Sequence, residues 1–341
     1  MNKQVLWLGL PVAAITLIGA APPATEAGTR ACSTITSDAF SACRNSTQDD
    51  RDTAEGICHN LSDKAAQRSC LADARSAQQD ALGECRDQRA ARADVCQALG
   101  EAPYQPSFDP NDFDTDFAHP THPNPLFPLA PGDQWTYEGG GEVDTVQIQS
   151  ATKQIQGVTC VVSHDVVTVD GVVSEDTDDW IATAKSGDVF YCGEEAKQFE
   201  TFPGDDPQTP ELVSIDGSFK VGREGDLPGI LMLASPVVGK VYRQEFSLGN
   251  AEDLAEVLST TYKFGQDATL DQNVPQALAD ELCSGDCLVT RDFSPLEPGA
   301  DERKYYAPGI GDFLEIALDT GTVTQLVDCN FDARCAMLPT P

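Results

Sequence analysis

Six of the chain's twelve cysteines lie between Cys32 and Cys96, at separations of 11, 15, 12, 15 and 11 residues. The spacing is a palindrome. Paired from the outside inward, it gives Cys32 with Cys96, Cys43 with Cys85 and Cys58 with Cys70, and the two numbers of each pair sum to 128. A constant sum is what two antiparallel rods require, because each step up one rod is matched by an equal step down the other. Neighbouring cysteines on one α-helix would be separated by about 16 Å of helical rise or more, beyond disulfide reach, so the bonds must cross between helices. Steps of this size overshoot whole turns by only about 20° to 60°, which keeps each trio on one helix face. Residues 36 to 99 therefore read as a helical hairpin riveted by three nested disulfides.

The local signals agree. Ser37 and Asp38 read as an N-terminal cap, Ser62 and Asp63 as the start of a second helix, and Ala, Gln, Arg and Glu fill both. Large apolar side chains are nearly confined to Phe40, Ile57, Leu61, Leu71, Leu82, Val95 and Leu99, too few to hold two helices together without cross-links. The caps put the turn at 60–62 while the cysteines are symmetric about 64, so a longer or irregular connection is expected. A three-helix arrangement would leave one odd thiol at each end. A thiolate metal store would need the close C-x-x-C spacing that is absent here.

Ahead of this module, Met1 to Ala27 carries Lys3 and an apolar run from Val5 to Ala21. It reads as a secretory signal peptide cleaved after Ala27, too short for a membrane span. Arg30 beside Cys32 argues against a lipid anchor, and no later segment is apolar enough to span a bilayer. The chain carries a net charge of −33, unevenly spread. Residues 28–100 hold 9 Lys+Arg against 11 Asp+Glu, and residues 101–341 hold 12 against 43. That field repels nucleic acid and anionic lipid. It suits cations, basic partners, high ionic strength or simple solubility.

Residues 101–131 contain 8 prolines in 31 positions with no periodicity, and read as a flexible, extended linker. Asp112, Asp114 and Asp116 alternate as at the start of a calcium loop, but Phe117 and Pro123 stand where that loop needs Gly and Glu. With His119 and His122 they form the one metal candidate, a weak Ca2+ site; a solvated acidic linker is the plainer alternative.

From residue 132 onward the pattern has period two. Trp135 and Tyr137 alternate from Gln134 onward, and runs at 143–152, 158–169, 172–184 and 189–192 follow around Gly139-Gly-Gly, Asp170-Gly171 and Ser186-Gly187 turns, the signature of an antiparallel meander. Further strands are expected at 197–202, 212–221, 240–246, 260–264, 288–293, 304–306, 313–318 and 322–327. Short helices are expected at Ala251 to Leu258, with Leu254, Val257 and Leu258 on one face, and at Pro275 to Leu282. So many strands must curl or close. The fold class is α+β: a helical hairpin at 28–100, a linker, and an acidic antiparallel β domain at 132–341, built as a curved half-barrel with a helix against it.

Asn124 to Gly139 (N-P-L-F-P-L-A-P-G-D-Q-W-T-Y-E-G), Glu175 to Trp180, Pro228 to Met232, Tyr242 to Phe246, Ala251 to Leu258, Leu296 to Gly299 and Tyr305 to Gly311 carry a resemblance. Over about 124–327 the chain resembles a family of secreted bacterial β-rich proteins of unknown function. The resemblance brings no catalytic residues with it. More loosely, the Trp-x-Tyr opening and the closing Tyr-Tyr-Ala-Pro-Gly-x-Gly are similar to periplasmic half-barrels that carry lipid or lipoprotein chains, a likeness of fold alone.

Six cysteines remain. Cys283 with Cys287 and Cys329 with Cys335 are local pairings, which leaves Cys160 with Cys192. In a simple meander those two strands flank a third, about 10 Å apart, so that pair calls for a rearranged strand order or a different pairing.

Enzyme motifs are missing: no H-E-x-x-H, no G-x-S-x-G and no phosphate loop. His164 and Asp165 are strand neighbours facing opposite ways, so His164 reads as structural. Glu175, Asp176, Asp178 and Asp179 could offer the paired carboxylates of a glycosidase, but with 55 acids in the chain they read as a solvated turn, and no catalytic residue is assigned. Trp135, Tyr137, Trp180, Tyr191, Tyr305 and Tyr306 are the candidates to line an apolar pocket, or else a core. The leading expectation is a secreted or periplasmic non-enzymatic protein that binds an apolar small molecule, lipid or protein partner, with no cofactor. A carboxylate-dependent extracellular hydrolase and a calcium-dependent surface or adhesion protein are the alternatives. A continuous apolar concavity favours the first, and two carboxyls about 5 to 10 Å apart in a polar cleft the second.

Overall fold

In the computed structural model, which describes residues 30–340, two long helices come first: α1 (Ala31–His59) and α2 (Lys64–Leu99). The expected signal peptide lies outside the described residues. Disulfides Cys32–Cys96, Cys43–Cys85 and Cys58–Cys70 join the helices at Cα–Cα distances of 5.6, 5.8 and 5.5 Å. Between them the buried seam holds small side chains, among them Thr36, Ala39, Thr47 and Ala74. The helix starts earlier than the Ser37 cap implies. Glu101, arriving after α2, accepts hydrogen bonds from the backbone N–H (3.0 Å) and the hydroxyl of Ser33. Donors at the α1 terminus are thus satisfied from across the hairpin, and Ser37 lies inside the helix, bonded to the Ser33 carbonyl. Nor is a long connection needed. Asp63 caps α2 through the N–H groups of Ala65 and Ala66. Cys70 lies level with Cys58, so the opening residues of α2 project past the end of α1.

The β domain is one antiparallel sheet of thirteen strands, curled but not closed. Its strands are β1 (Gln134–Gly139), β2 (Glu142–Ile155), β3 (Val158–Val169), β4 (Val172–Thr183), β5 (Val189–Glu200), β6 (Glu211–Ser214), β7 (Gly229–Met232), β8 (Val241–Arg243), β9 (Leu254–Tyr262), β10 (Cys287–Phe293), β11 (Glu302–Ala307), β12 (Gly311–Ala317) and β13 (Val323–Cys329). The order runs β6-β5-β4-β3-β2-β1-β13-β12-β11-β10-β9-β8, and β7 pairs with β5 as well. Asp170 and Gly171, both at positive φ (52° and 76°), make the β3–β4 turn whose twist matches its strands. Opposite ends of the sheet approach each other where Leu227 bridges to Phe246. There the Gly229 backbone lies so close to Gln244 that a Cβ would sit 1.6 Å from its carbonyl oxygen, so only glycine fits.

Several local expectations change. Ala251 to Leu258 is not a helix: β9 begins at Leu254 and pairs with β8 on one side and β10 on the other. Three apolar residues in so short a run suit either period, and the two flanking strands decide. The helix at the other expected place is α3 (Gln276–Leu282). β5 continues without a break through the two runs expected as separate strands. Cys160 and Cys192 are bonded across β4 in simple meander order, with Cα atoms 6.7 Å apart. No rearrangement is required, because a register shift at Cys192 and the small, fully buried Ala182 let the sheet bend sharply there.

Residues 101–131 form a strap along the sheet, not a free linker. Phe113, Phe117, Leu126 and Leu129 are buried. The Asp114 N–H donates to the Thr183 carbonyl at 2.9 Å, and Phe108, Phe113 and Phe190 pack together on the outer face of the sheet. Burial of its phenylalanines outweighs the chain entropy that composition alone favours. The hairpin docks on the sheet through Arg92, which pairs with buried Glu252 at 2.7 Å, and through the Gln88 amide, which donates to the Leu296 carbonyl. Among the described residues no helix is long and apolar enough to cross a membrane. All twelve cysteines are in disulfides, which fits an extracellular or periplasmic compartment.

Candidate functional site

Alternation along the strands decides what faces the hollow of the curl. On β2 it is Asp144 and Val146, on β3 Ser163 and Asp165, on β4 Asp179 and Ile181, and on β11 Lys304 and Tyr306. The intervening Arg303 and Tyr305 turn the other way, bonded to the carbonyls of Thr269, Gln272 and Leu270. The hollow has a volume of about 690 Å³ and is strongly acidic. Glu194, Glu245, Asp292, Glu302, Asp312 and Glu315 join the three aspartates, and among the described residues Lys304 is the one basic residue lining it.

Two pairs of like charge stand directly opposite each other in register, Asp179 with Glu194 and Asp292 with Glu302. Cross-strand carboxylates in that relation repel. Lys304 balances part of this charge: it faces Glu315 at 2.9 Å and lies 3.7 Å from Glu302.

Burial and crowding shift the acids upward. Asp165 is pushed up to about 9, by burial first and by the Asp144 carboxyl next. Glu194 rises to about 8 through burial and then Asp179. Asp179 rises to about 7 by burial, although the Tyr191 hydroxyl that donates to it pulls the other way. Asp312 lies well above the usual range, through burial and then Glu315. Glu315 goes the other way: burial raises it, but the Lys304 ammonium beside it wins and holds it below its ordinary value. Asp144 Oδ1 and Asp165 Oδ1 are buried without a hydrogen-bond partner.

Of the six aromatic candidates, Tyr137, Tyr191 and Tyr306 line this hollow. Trp135 is buried, its indole N–H donating to the Ile310 carbonyl at 2.8 Å. Trp180 faces the outer side with Phe113 and Cys160, under Lys153. Tyr305 is fully buried against Tyr262 and Phe313. The metal candidates are not gathered around one point. Asp114 accepts from the Thr121 N–H and hydroxyl, Asp116 pairs with His119, His122 pairs with the Lys185 carbonyl, and the Asp112 carbonyl accepts from Lys185. Among the described residues no cluster of three or more His, Cys, Asp or Glu stands ready for a metal ion. His164 pairs with Asp178 at 2.9 Å, on the side away from the hollow.

The acidic wall itself is what sequence reasoning missed. Glu175, Asp176, Asp178 and Asp179 are not a solvated turn but the middle of β4, and Asp179 points inward. Among 55 acids the usable signal is their placement on the polar phase of successive strands.

No protein-family model and no curated protein sequence matches this chain. Among solved structures it is similar to a candidate lipoprotein from Parabacteroides distasonis, at 12% identity and a TM-score of 0.31, over 61% of this chain and 99% of that one. A likeness of that size carries no argument about function.

Proposed function

We propose that the protein is a secreted or periplasmic binding protein, exported by a signal peptide cleaved after Ala27, whose concave face captures an organic cation with more than one amino group. The observation that supports this most is the pair of like-charged cross-strand contacts, Asp179–Glu194 and Asp292–Glu302, turned into one hollow with a single lysine. Protons relieve part of that repulsion, since Asp179 and Glu194 are raised to about 7 and about 8, and a bound cation can relieve the rest. A polyamine or a lysine-bearing peptide does so, and the volume suits a small ligand. Tyr137, Tyr191 and Tyr306 add ring faces that attract ammonium groups. An apolar ligand would instead bury these carboxyls with no counter-charge. Titration calorimetry with spermidine tests the reading. Saturable binding that NaCl of equal ionic strength does not reproduce, and that Asp179→Asn with Glu194→Gln weakens, is expected; no binding to the folded protein refutes it.

A carboxylate-dependent hydrolase is the second reading, favoured by two neighbouring acids of the hollow with opposed shifts, Asp312 pushed up by burial and Glu315 held down by Lys304. It requires turnover of a glycoside or ester that Asp312→Asn and Glu315→Gln each abolish. The binding reading expects no turnover.

A further inference from the structure

Where the hairpin docks on the sheet, a second crevice of about 310 Å³ opens between the helices and strands β7 and β8. Ile35, Val95 and Leu99 form its helical wall, and Ile230, Leu233 and Val241 face them. Its charged lining inverts that of the acidic hollow: Arg92, Lys240 and Arg243 against Glu252 alone. Glu252 is already taken. Arg92 holds it at 2.7 and 3.0 Å, and the Gly249 N–H donates to it at 2.7 Å.

Arg243 is left over. Its guanidinium packs against the rings of Tyr104 and Phe246, 5.7 and 4.9 Å from their centroids, and its Nη1 is buried with no hydrogen-bond partner. A guanidinium fixed in an apolar wall with an unmade hydrogen bond is costly to keep. An anion that reaches it meets a planar fork matched to a carboxylate.

From this we infer that the crevice is a binding site for a small amphiphilic carboxylate. Its acid group pairs with Arg243, and its apolar body lies between α2 and the β7–β8 edge. Lys240, exposed on the same lining, adds to the positive field that draws the acid group in. The site is separate from the acidic hollow. Along β7 and at the end of β8, Ile230 and Arg243 line the crevice, whereas their neighbours Leu231 and Gln244 line the hollow behind. The seam where the two ends of the sheet meet thus presents an anion site on one face and a cation site on the other.

Calorimetry of the full chain with sodium decanoate, with 1-decanol as the uncharged control, tests the assignment. Decanoate is expected to bind one to one and to raise the melting temperature, with decanol weaker by at least about tenfold, the loss of a charge-assisted hydrogen bond. Arg243→Gln should reduce the decanoate affinity to that of decanol, and Leu99→Trp, which fills the crevice, should lower both. Asp179→Asn with Glu194→Gln, in the hollow, should leave both unchanged. If Arg243→Gln does not fold, the decanoate-to-decanol ratio on the native chain decides alone. No decanoate binding, equal affinity for decanol, or full affinity in a folded Arg243→Gln variant overturns the inference.

Discussion

In the hairpin the buried side chains include Thr36, Ala39, Thr47 and Ala74, with Val95 the largest apolar one, and three nested disulfides span sequence separations of 64, 42 and 12 residues. The sheet buries Tyr305, Phe313, Met232, Leu254, Leu278 and Leu314, and its own disulfides close loops of 32, 4 and 6 residues. In the hairpin, covalent bonds do what apolar volume cannot, by restricting the unfolded chain. In the sheet the apolar core carries the fold. That leaves the concave face free to hold residues that oppose folding, and those residues point to function.

The sharpest way to break this contrast is to remove one disulfide from each region. Cys32→Ser with Cys96→Ser should cost about 3 kcal/mol, because the inner Cys43–Cys85 bond leaves a loop of about 22 residues to close, and Cys283→Ser with Cys287→Ser about 2. Urea unfolding followed by helical circular dichroism reads the difference, and equal losses would mean the hairpin does not depend on its cross-links. Next in size is the contact that joins the regions. Arg92→Met strands the Glu252 carboxylate in a buried site and should destabilise by roughly 3 kcal/mol, while Arg92→Met with Glu252→Met should recover most of it. A double variant no better than the single one would show that the pair's charge is not what matters.

Legibility from sequence followed the same divide. The hairpin's pairing could be read because helical rise is constant, so spacing along the sequence is spacing in space. Strand positions could be read where Asp170-Gly171 and the alternating valines set period two. The start of α1 could not, because its donors are satisfied by Glu101, 68 residues after Ser33. Ala251 to Leu258 misled because strand pairing overrode a helical spacing. The acidic hollow was illegible for a different reason: its carboxyls stand on the polar phase of strands, which looks the same whether it faces solvent or the inside of a curl.

Smaller effects probe the hollow itself. Asp165, Glu194 and Asp179 titrate at about 9, 8 and 7 when folded, above the ordinary carboxylate range. The folded chain therefore binds more protons than the unfolded chain from about pH 4 to pH 9, and its stability falls as pH rises through that window. Melting should occur at a higher temperature at pH 5 than at pH 8; the reverse order would mean these acids are not desolvated. Smallest is the effect of relieving one repulsion. Glu194→Gln should stabilise by about 0.5 kcal/mol at pH 8 and by less at pH 5, where Glu194 is protonated. Equal effects at both pH values would remove charge as the cause.

Proton-linked calorimetry of spermidine binding at pH 7.5, in two buffers of different ionisation enthalpy, tests the cation-binding role of the concave face most directly. Carboxyls held partly protonated by burial must give up protons when a cation replaces them. Net release of protons to the buffer, lost in Asp179→Asn with Glu194→Gln, is the expected result. Binding with no proton release, or no binding at all, contradicts it.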